Sequence, residues 1–271
     1  MTRASSALAT EYPRIDLLGV KISAINMDMA VSAIDDWAAH RKSNYICVTP
    51  AHSVMECYDH SFLAAIFNAS GMTTPDGMAV VWWLRWHGQR QVERVYGPDL
   101  MLAVCQHSID KGYRHFFYGG AEGVAQELAR KLQSRFQGLS VAGCYSPPFR
   151  VLTPAEDDAI CQQIHASEAD IVWVGLGAPR QELWMSDHKD KLGASVLIGV
   201  GAAFDFLSGR KTQAPHWVQQ AGLEWLFRLI HEPRRLWRRY IPGYPRFVVL
   251  ALRQLCSEKL RKSDFSVSKN K

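Results

Sequence analysis

From residue 114 onward the chain alternates short apolar runs with longer helical patterns. No other feature constrains its fold as much. "RHFFYGG" (114–120) reads as a strand ending in two glycines, followed by the helical "AEGVAQELARKLQSRF". "LSVAGCY" is a strand. "TPAEDDAICQQIHAS" is a helix with Thr153 as N-cap and Glu156 three residues later. "DIVWVGLG" (170–177) is a strand, "PRQELWMSDHKDKLG" a helix opened by proline, and "SVLIGVGAAFDF" (195–206) a further strand. Repeated strand–helix–strand steps call for parallel pairing with the helices laid on the sheet faces. The predicted fold class is therefore α/β: a Rossmann-like, mostly parallel sheet with helices on both faces.

The first half fits the same plan less regularly. "IDLLGVKI" (15–22) is a strand or hairpin, and residues 27–41 place Met27, Val31, Ile34 and Trp37 on one helical face. "YICVT" (45–49) is a short buried strand, 53–69 a helical stretch, "GMTTP" an extended piece, and 77–87 and 97–112 are helices. With 271 residues, the chain divides into a flexible tail (1–12), an α/β catalytic core (13–214), a basic amphipathic helical appendage (215–262) and a disordered tail (263–271). Residues 210–262 hold twelve basic and three acidic side chains, against a net charge of +5 for the whole chain. A slightly acidic body with a basic C-terminal segment suits an anionic surface or substrate at that end. The six cysteines have no metal-ligand spacing, which suits reduced thiols in a cytosolic protein. No basic-then-apolar leader opens the chain, and no run of 18 apolar residues occurs.

Ligands in such sheets bind beyond the carboxyl ends of the strands. That places Thr49, the Pro-Asp-Gly turn at 75–77, Gly119, Gly120, Tyr145, Gly177 and the 199–205 segment at the candidate site. Glycines after strands let backbone N–H groups approach phosphate or let strand and helix pack closely. No complete GxGxxG or GxxxxGK[ST] occurs. Asp205 stands where a ribose-binding acid would, or serves as a cap or loop acceptor. Asp76 precedes a glycine, so it forms a turn, caps a helix, or acts as a general base whose pKa the apolar neighbours raise. Lone histidines such as His52 carry no ligand signature. No HExxH or DxD is present, so phosphates would have to be neutralised by backbone groups or by arginines rather than through a metal. Arg228, Arg235 and Arg238, interleaved with aromatics, suit phosphate or a bilayer interface.

Six motifs in order, "TTPDGMAVVW", "ERVYGPDLM", "FFYGG", "WVGLGAPRQELWM", "GVGAAFDFLSG" and "GLEWLFRLIHEPRRLWRRY", resemble the WecG/TagA/CpsF glycosyltransferases (family 26) over about residues 15–255. The resemblance implies an inverting, metal-independent enzyme needing no cofactor. It would move N-acetylmannosamine, its uronic acid or a hexose from a UDP-sugar to a polyprenyl-diphosphate-linked saccharide in cell-surface polysaccharide synthesis. Asp76 is then the general base and Thr49 the active-site threonine. Gln181 and Glu182 lie at the UDP site and Asp205 at its nucleoside end. Arg228, Arg235 and Arg238 face the diphosphate. The appendage covers the site and touches the inner face of the cell membrane, with the body peripheral and cytoplasmic and no nucleic-acid partner. Apolar core surface beneath the appendage could equally hold subunits in a homo-oligomer. Many members carry Asn two residues after the threonine; here Ala51 stands there, followed by His52. The alternatives are a nicotinamide-dependent oxidoreductase using the glycine turns and a non-catalytic basic module for membrane or nucleic acid.

Overall fold

A computed structural model describes residues 12–268. The chain opens with an antiparallel hairpin, β1 (Arg14–Leu17) and β2 (Val20–Ser23), which buries Leu17, Val20 and Ile22. Helix α1 (Met27–Ala39) follows, its first turn capped by the Asn26 side chain accepting from Met29 N. Then come β3 (Asn44–Thr49), α2 (Ala51–Asp59), α3 (Ser61–Ala69) and β4 (Met72–Pro75). The helical stretch expected over 53–69 is two helices, because His60 takes an extended conformation between them. Next are α4 (Met78–Trp86), α5 (Gly97–Lys111), β5 (Arg114–Gly119), α6 (Val124–Arg135), β6 (Ser140–Tyr145) and α7 (Pro154–Ala166). Thr153 and Glu156 form the capping box expected of them. The core closes with β7 (Ile171–Gly175), α8 (Arg180–His188), β8 (Val196–Gly199) and α9 (Ala203–Leu207).

The strand expected over 195–206 is therefore shorter than its apolar run. It ends at Gly199, and Val200 N bonds Val174 O as the chain turns into α9. Phe204 needs that turn: its ring fills the space over Gly175, where a Cβ would lie 2.5 Å from the ring. An apolar run marks burial, and burial is common to a strand end and a short core helix.

The six parallel strands take the order β4-β3-β8-β7-β5-β6. Successive side chains alternate between faces. Tyr45, Cys47, Phe116, Tyr118, Val172, Val174 and Leu197 point to one core, which α2, α3, α4, α7, α8 and the hairpin complete. Ile46, Val48, Phe117, Ile171, Trp173, Val196 and Ile198 point to the other, under α1, α5, α6 and α9. Both faces are buried, which is the burial expected of a parallel sheet. On the second face Trp173 Nε1 donates to His115 Nδ1 at 3.0 Å, and burial pushes His115 down to about 3, so this ring stays neutral.

Beyond the core the chain is helical: α10 (His216–Gln220), α11 (Glu224–His231) and α12 (Pro233–Ser268). Helix α12 runs through Pro242 and Pro245 and lays Phe247 and Ala251 into the first core against α2. It continues over 263–268, where a disordered tail is expected from composition. Residues 1–11 and 269–271, which hold most of the expected flexible tail and the end of the disordered one, lie outside the described residues.

Candidate active site

The principal cleft lies beyond the carboxyl ends of β3, β4, β7 and β8, is roofed by α10, α11 and α12, and encloses about 240 Å³. Strand ends converge there because every strand in a parallel sheet points the same way. Its floor includes Val48, Gly177, Gln181, Gly199 and Gly201, and its walls Asp76, Arg94, Tyr96, Glu224 and Arg228.

Asp76 follows β4 directly, and its N–H is bonded to Thr49 O at 3.3 Å, which ties the ends of the two adjacent strands together. The next residue must turn sharply into α4. Gly77 does so at φ 96°, a conformation that side-chain-bearing residues rarely adopt. The Asp76 carboxylate caps no helix. It faces the cleft and accepts from Arg94 through Nε (3.3 Å) and Nη2 (3.2 Å), both to Oδ1. Burial raises Asp76 to about 6 from 3.8, opposed by Arg94, reinforced by the Glu224 charge and opposed again by Arg228. An apolar lip beside a carboxylate thus does what elementary electrostatics asks of it.

Gln181 sits in the first turn of α8 on the cleft floor. Its Oε1 accepts from Gly177 N (3.2 Å) and its Nε2 donates to Glu182 Oε1 (2.8 Å). Glu182 itself is wholly buried behind it. Thr49 is also wholly buried, with its hydroxyl donated to Cys47 O at 2.8 Å. Arg228 lines the cleft, stands 5.9 Å over the Phe206 ring, and has a buried Nε with no hydrogen-bond partner among the described residues.

The structure therefore brings Asp76, Gly177, Gln181 and Arg228 into one cleft, with Thr49 and Glu182 directly behind its wall. The other candidates stand apart from its lining. Gly119 and Gly120 pack against protein: a Cβ on Gly119 would lie 2.5 Å from the Gly175 backbone, and one on Gly120 would lie 2.8 Å from Val124. Tyr145, at the end of the edge strand β6, stacks on Tyr118. Asp205 is paired with Lys211 at 2.9 Å, while its neighbour Phe206 reaches the cleft. Arg238 lies in an adjoining pocket of about 210 Å³ between α2 and α12, which shares Ala51, His52 and Tyr244 with the main cleft. The backbone of Arg235 is in α12, but its side chain lies outside the described residues.

Three cleft residues escape a reading by motif type: Arg94, Tyr96 and Glu224. Arg94 donates to Glu224 Oε2 (2.5 Å) and Gln219 Oε1 (2.9 Å), its guanidinium lies 3.9 Å over the Tyr96 ring, and the Tyr96 hydroxyl donates to Glu224 Oε1 (3.2 Å). The flanking carboxylates hold Arg94 firmly protonated. Its signal was present in "ERVYGPDLM", an arginine just before a helix that starts with Gly-Pro.

Outside the cleft, Asp157, Cys161 and His188 bring ligand atoms within 4.8 Å of one another. A hydrogen bond of 2.8 Å between His188 Nε2 and Asp157 Oδ2, with Trp184 Nε1 on the other carboxylate oxygen at 3.1 Å, already accounts for their placement. All six cysteines are free thiols, three of them buried. Among the described residues no helix is long and apolar enough to cross a membrane.

A family model described as "Glycosyl transferase WecG/TagA/CpsF family" matches residues 15–261. The chain is also similar to the N-acetylglucosaminyldiphosphoundecaprenol N-acetyl-beta-D-mannosaminyltransferase of Bacillus spizizenii. The two are 28% identical over 235 residues, which covers 84% of this chain and 89% of the relative.

Proposed function

Because the chain belongs to the WecG/TagA/CpsF glycosyltransferase family, we propose that it transfers a sugar from a UDP-sugar to a polyprenyl-diphosphate-linked saccharide in cell-envelope polysaccharide synthesis. The reaction inverts the anomeric centre and uses no metal. The relative's printed name supplies a substrate pair to try first: an N-acetylmannosaminyl donor and an N-acetylglucosaminyl-diphosphoundecaprenol acceptor. Family membership counts against the oxidoreductase and the non-catalytic module.

The observation that carries this reading is the pairing, in one cleft, of a raised carboxylate with a buried guanidinium nitrogen that has no hydrogen-bond partner among the described residues. The acceptor hydroxyl attacks the anomeric carbon from the face opposite UDP. A new C–O bond forms as the bond to the UDP oxygen breaks, and the hydroxyl proton passes to Asp76. One base suffices for inversion. A carboxylate titrating near 6 is ionised at neutral pH yet more basic than an ordinary aspartate. Arg228 supplies positive charge for the departing diphosphate, and its Nε gains an acceptor there. Gln181, fixed by Glu182 and Gly177, would contact the donor.

The C-terminal helices expose Trp217, Ile230, Trp237, Ile241 and Leu252 among basic residues such as Arg234, Arg238 and Arg253. The Arg238 guanidinium lies 5.3 Å over the Trp237 ring, and exposed tryptophan beside arginine suits the headgroup region of an anionic leaflet. Docking there would deliver the lipid-linked acceptor to the cleft from the cytoplasmic side.

The test is UDP release from a panel of UDP-sugars in liposomes, with and without a polyprenyl-diphosphate-linked acceptor, and with EDTA. Acceptor-dependent release from one donor, unchanged by EDTA, is expected. Release that EDTA abolishes would refute metal independence; no release from any donor, with no UDP bound, would refute the substrate class.

A further inference from the structure

Glu224 begins α11, and the C-terminal segment carries it across the cleft to the guanidinium that also holds Asp76. Arg94 is gripped from two sides. Asp76 and the Tyr96 ring belong to the core; Glu224 and Gln219 belong to the segment beyond residue 214. A guanidinium fork fits a carboxylate best through two parallel bonds to its two oxygens. Arg94 does not do this to Asp76. Its Nε and Nη2 both reach Oδ1, and its shortest bond goes to Glu224.

We propose that Glu224 is a positioning residue for the transfer reaction: by drawing Nη2 of Arg94 to itself, it prevents the guanidinium from chelating Asp76 and leaves Oδ2 of that carboxylate for the acceptor hydroxyl. The proposal rests on reading Asp76 as the base. It also gives the C-terminal segment a chemical task. With Glu224 withdrawn, Arg94 would close its fork on Asp76 and the base would be masked. Seating the segment places Glu224, and Glu224 frees the base.

The other titratable groups that line the cleft with Asp76 do not substitute for Glu224. From the core these are Arg94, Tyr96 and His52; from α11, Arg228 beside Glu224 itself; from α12, Tyr240 and Tyr244. Among them Glu224 brings the one carboxylate. Its charge acts on Asp76 in the direction opposite to Arg94 and Arg228.

The experiment uses the full chain with Glu224→Gln and Glu224→Asp. Two readouts are taken: the carboxyl carbon-13 titration of Asp76, assigned by its loss in Asp76→Asn, and the pH profile of kcat/KM in liposomes. For Glu224→Gln the Asp76 midpoint is expected to fall by about one pH unit. Its kcat should drop about tenfold with donor KM unchanged, a fraction of what a general base contributes. Glu224→Asp should restore most of both. A Glu224→Gln protein with an unmoved midpoint overturns the proposal, whether its kcat is normal or is lost together with melting temperature; in the second case Glu224 merely anchors the segment. The titration needs no turnover. A midpoint that moves in a protein whose wild type transfers no sugar would count against the proposed function and establish the Arg94 coupling alone.

Discussion

Replacing Asp76 by asparagine should weaken the enzyme and strengthen the fold, and the second effect has a calculable pH dependence. In the folded protein Asp76 titrates at about 6, against 3.8 for an unperturbed aspartate. Its side chain is only 15% exposed, so solvent screens little of that difference. The folded state then binds the proton more tightly than the unfolded chain, so stability falls as pH rises between the two values and levels off above the upper one. A rise of about two pH units, at about 1.4 kcal/mol for each, amounts to ~3 kcal/mol at full ionisation. Of this, ~2 kcal/mol develops between about pH 4.5 and about pH 7.5. Asparagine does not titrate. Urea midpoints of wild type and Asp76→Asn, measured at both pH values, should therefore diverge in favour of the variant by ~2 kcal/mol as the pH is raised. Over the same range the variant should lose transfer by about 10²- to 10⁴-fold. A stability difference that stays constant with pH would refute the raised carboxylate, and normal turnover would refute its role as base.

Arg94→Met leaves Asp76 and Glu224 facing each other with no cation between them. It should cost about 3 kcal/mol at neutral pH, read as a lower melting temperature that partly recovers near pH 5 as Asp76 takes up its proton. Gly175→Ala drives a Cβ to 2.5 Å from the Phe204 ring; overpacking of this kind should cost about 1–3 kcal/mol in a urea titration. A chain ending at Ala214 should keep the circular dichroism of the sheet while transfer falls at least ~10²-fold, since Glu224 and Arg228 go with the removed segment. For the wild type, kcat/KM in liposomes should lose activity below about pH 6, the midpoint of Asp76, with no matching dependence on added Mg²⁺.

The parallel core was legible because burial on both faces imposes continuous apolar strands, and "DIVWVG" or "YICVT" can be read in few other ways. Boundaries were less legible where an apolar run served two elements, as at Ile198–Phe204, since packing against Gly175 rather than local preference ended the strand. In the cleft, Asp76 stood out because an acid beside an apolar run is costly and must be explained. Arg94 and Glu224 did not, because each is an ordinary charged residue in sequence and gains meaning only across the 130 positions separating them. The glycine signal was ambiguous for a physical reason. A Cβ on Gly119 would strike the Gly175 backbone and one on Gly175 the Phe204 ring, whereas Gly177 opens into the cleft, and a missing Cβ looks the same in every case.

The placement of β8 has a consequence for how the protein is made. It is the last strand of the sheet in the chain, yet it lies between β3 and β7. A nascent chain that has left the ribosome only as far as β7 can pair β3 with β4, and β7 with β5 and β6, but it cannot join the two halves. The cleft needs Gly199 and Gly201 as its floor, so it does not exist until translation has passed residue 201, and its roof is synthesised later still. Incomplete chains would hold half of the cleft at most, so the catalytic groups that line it come together only in the finished protein.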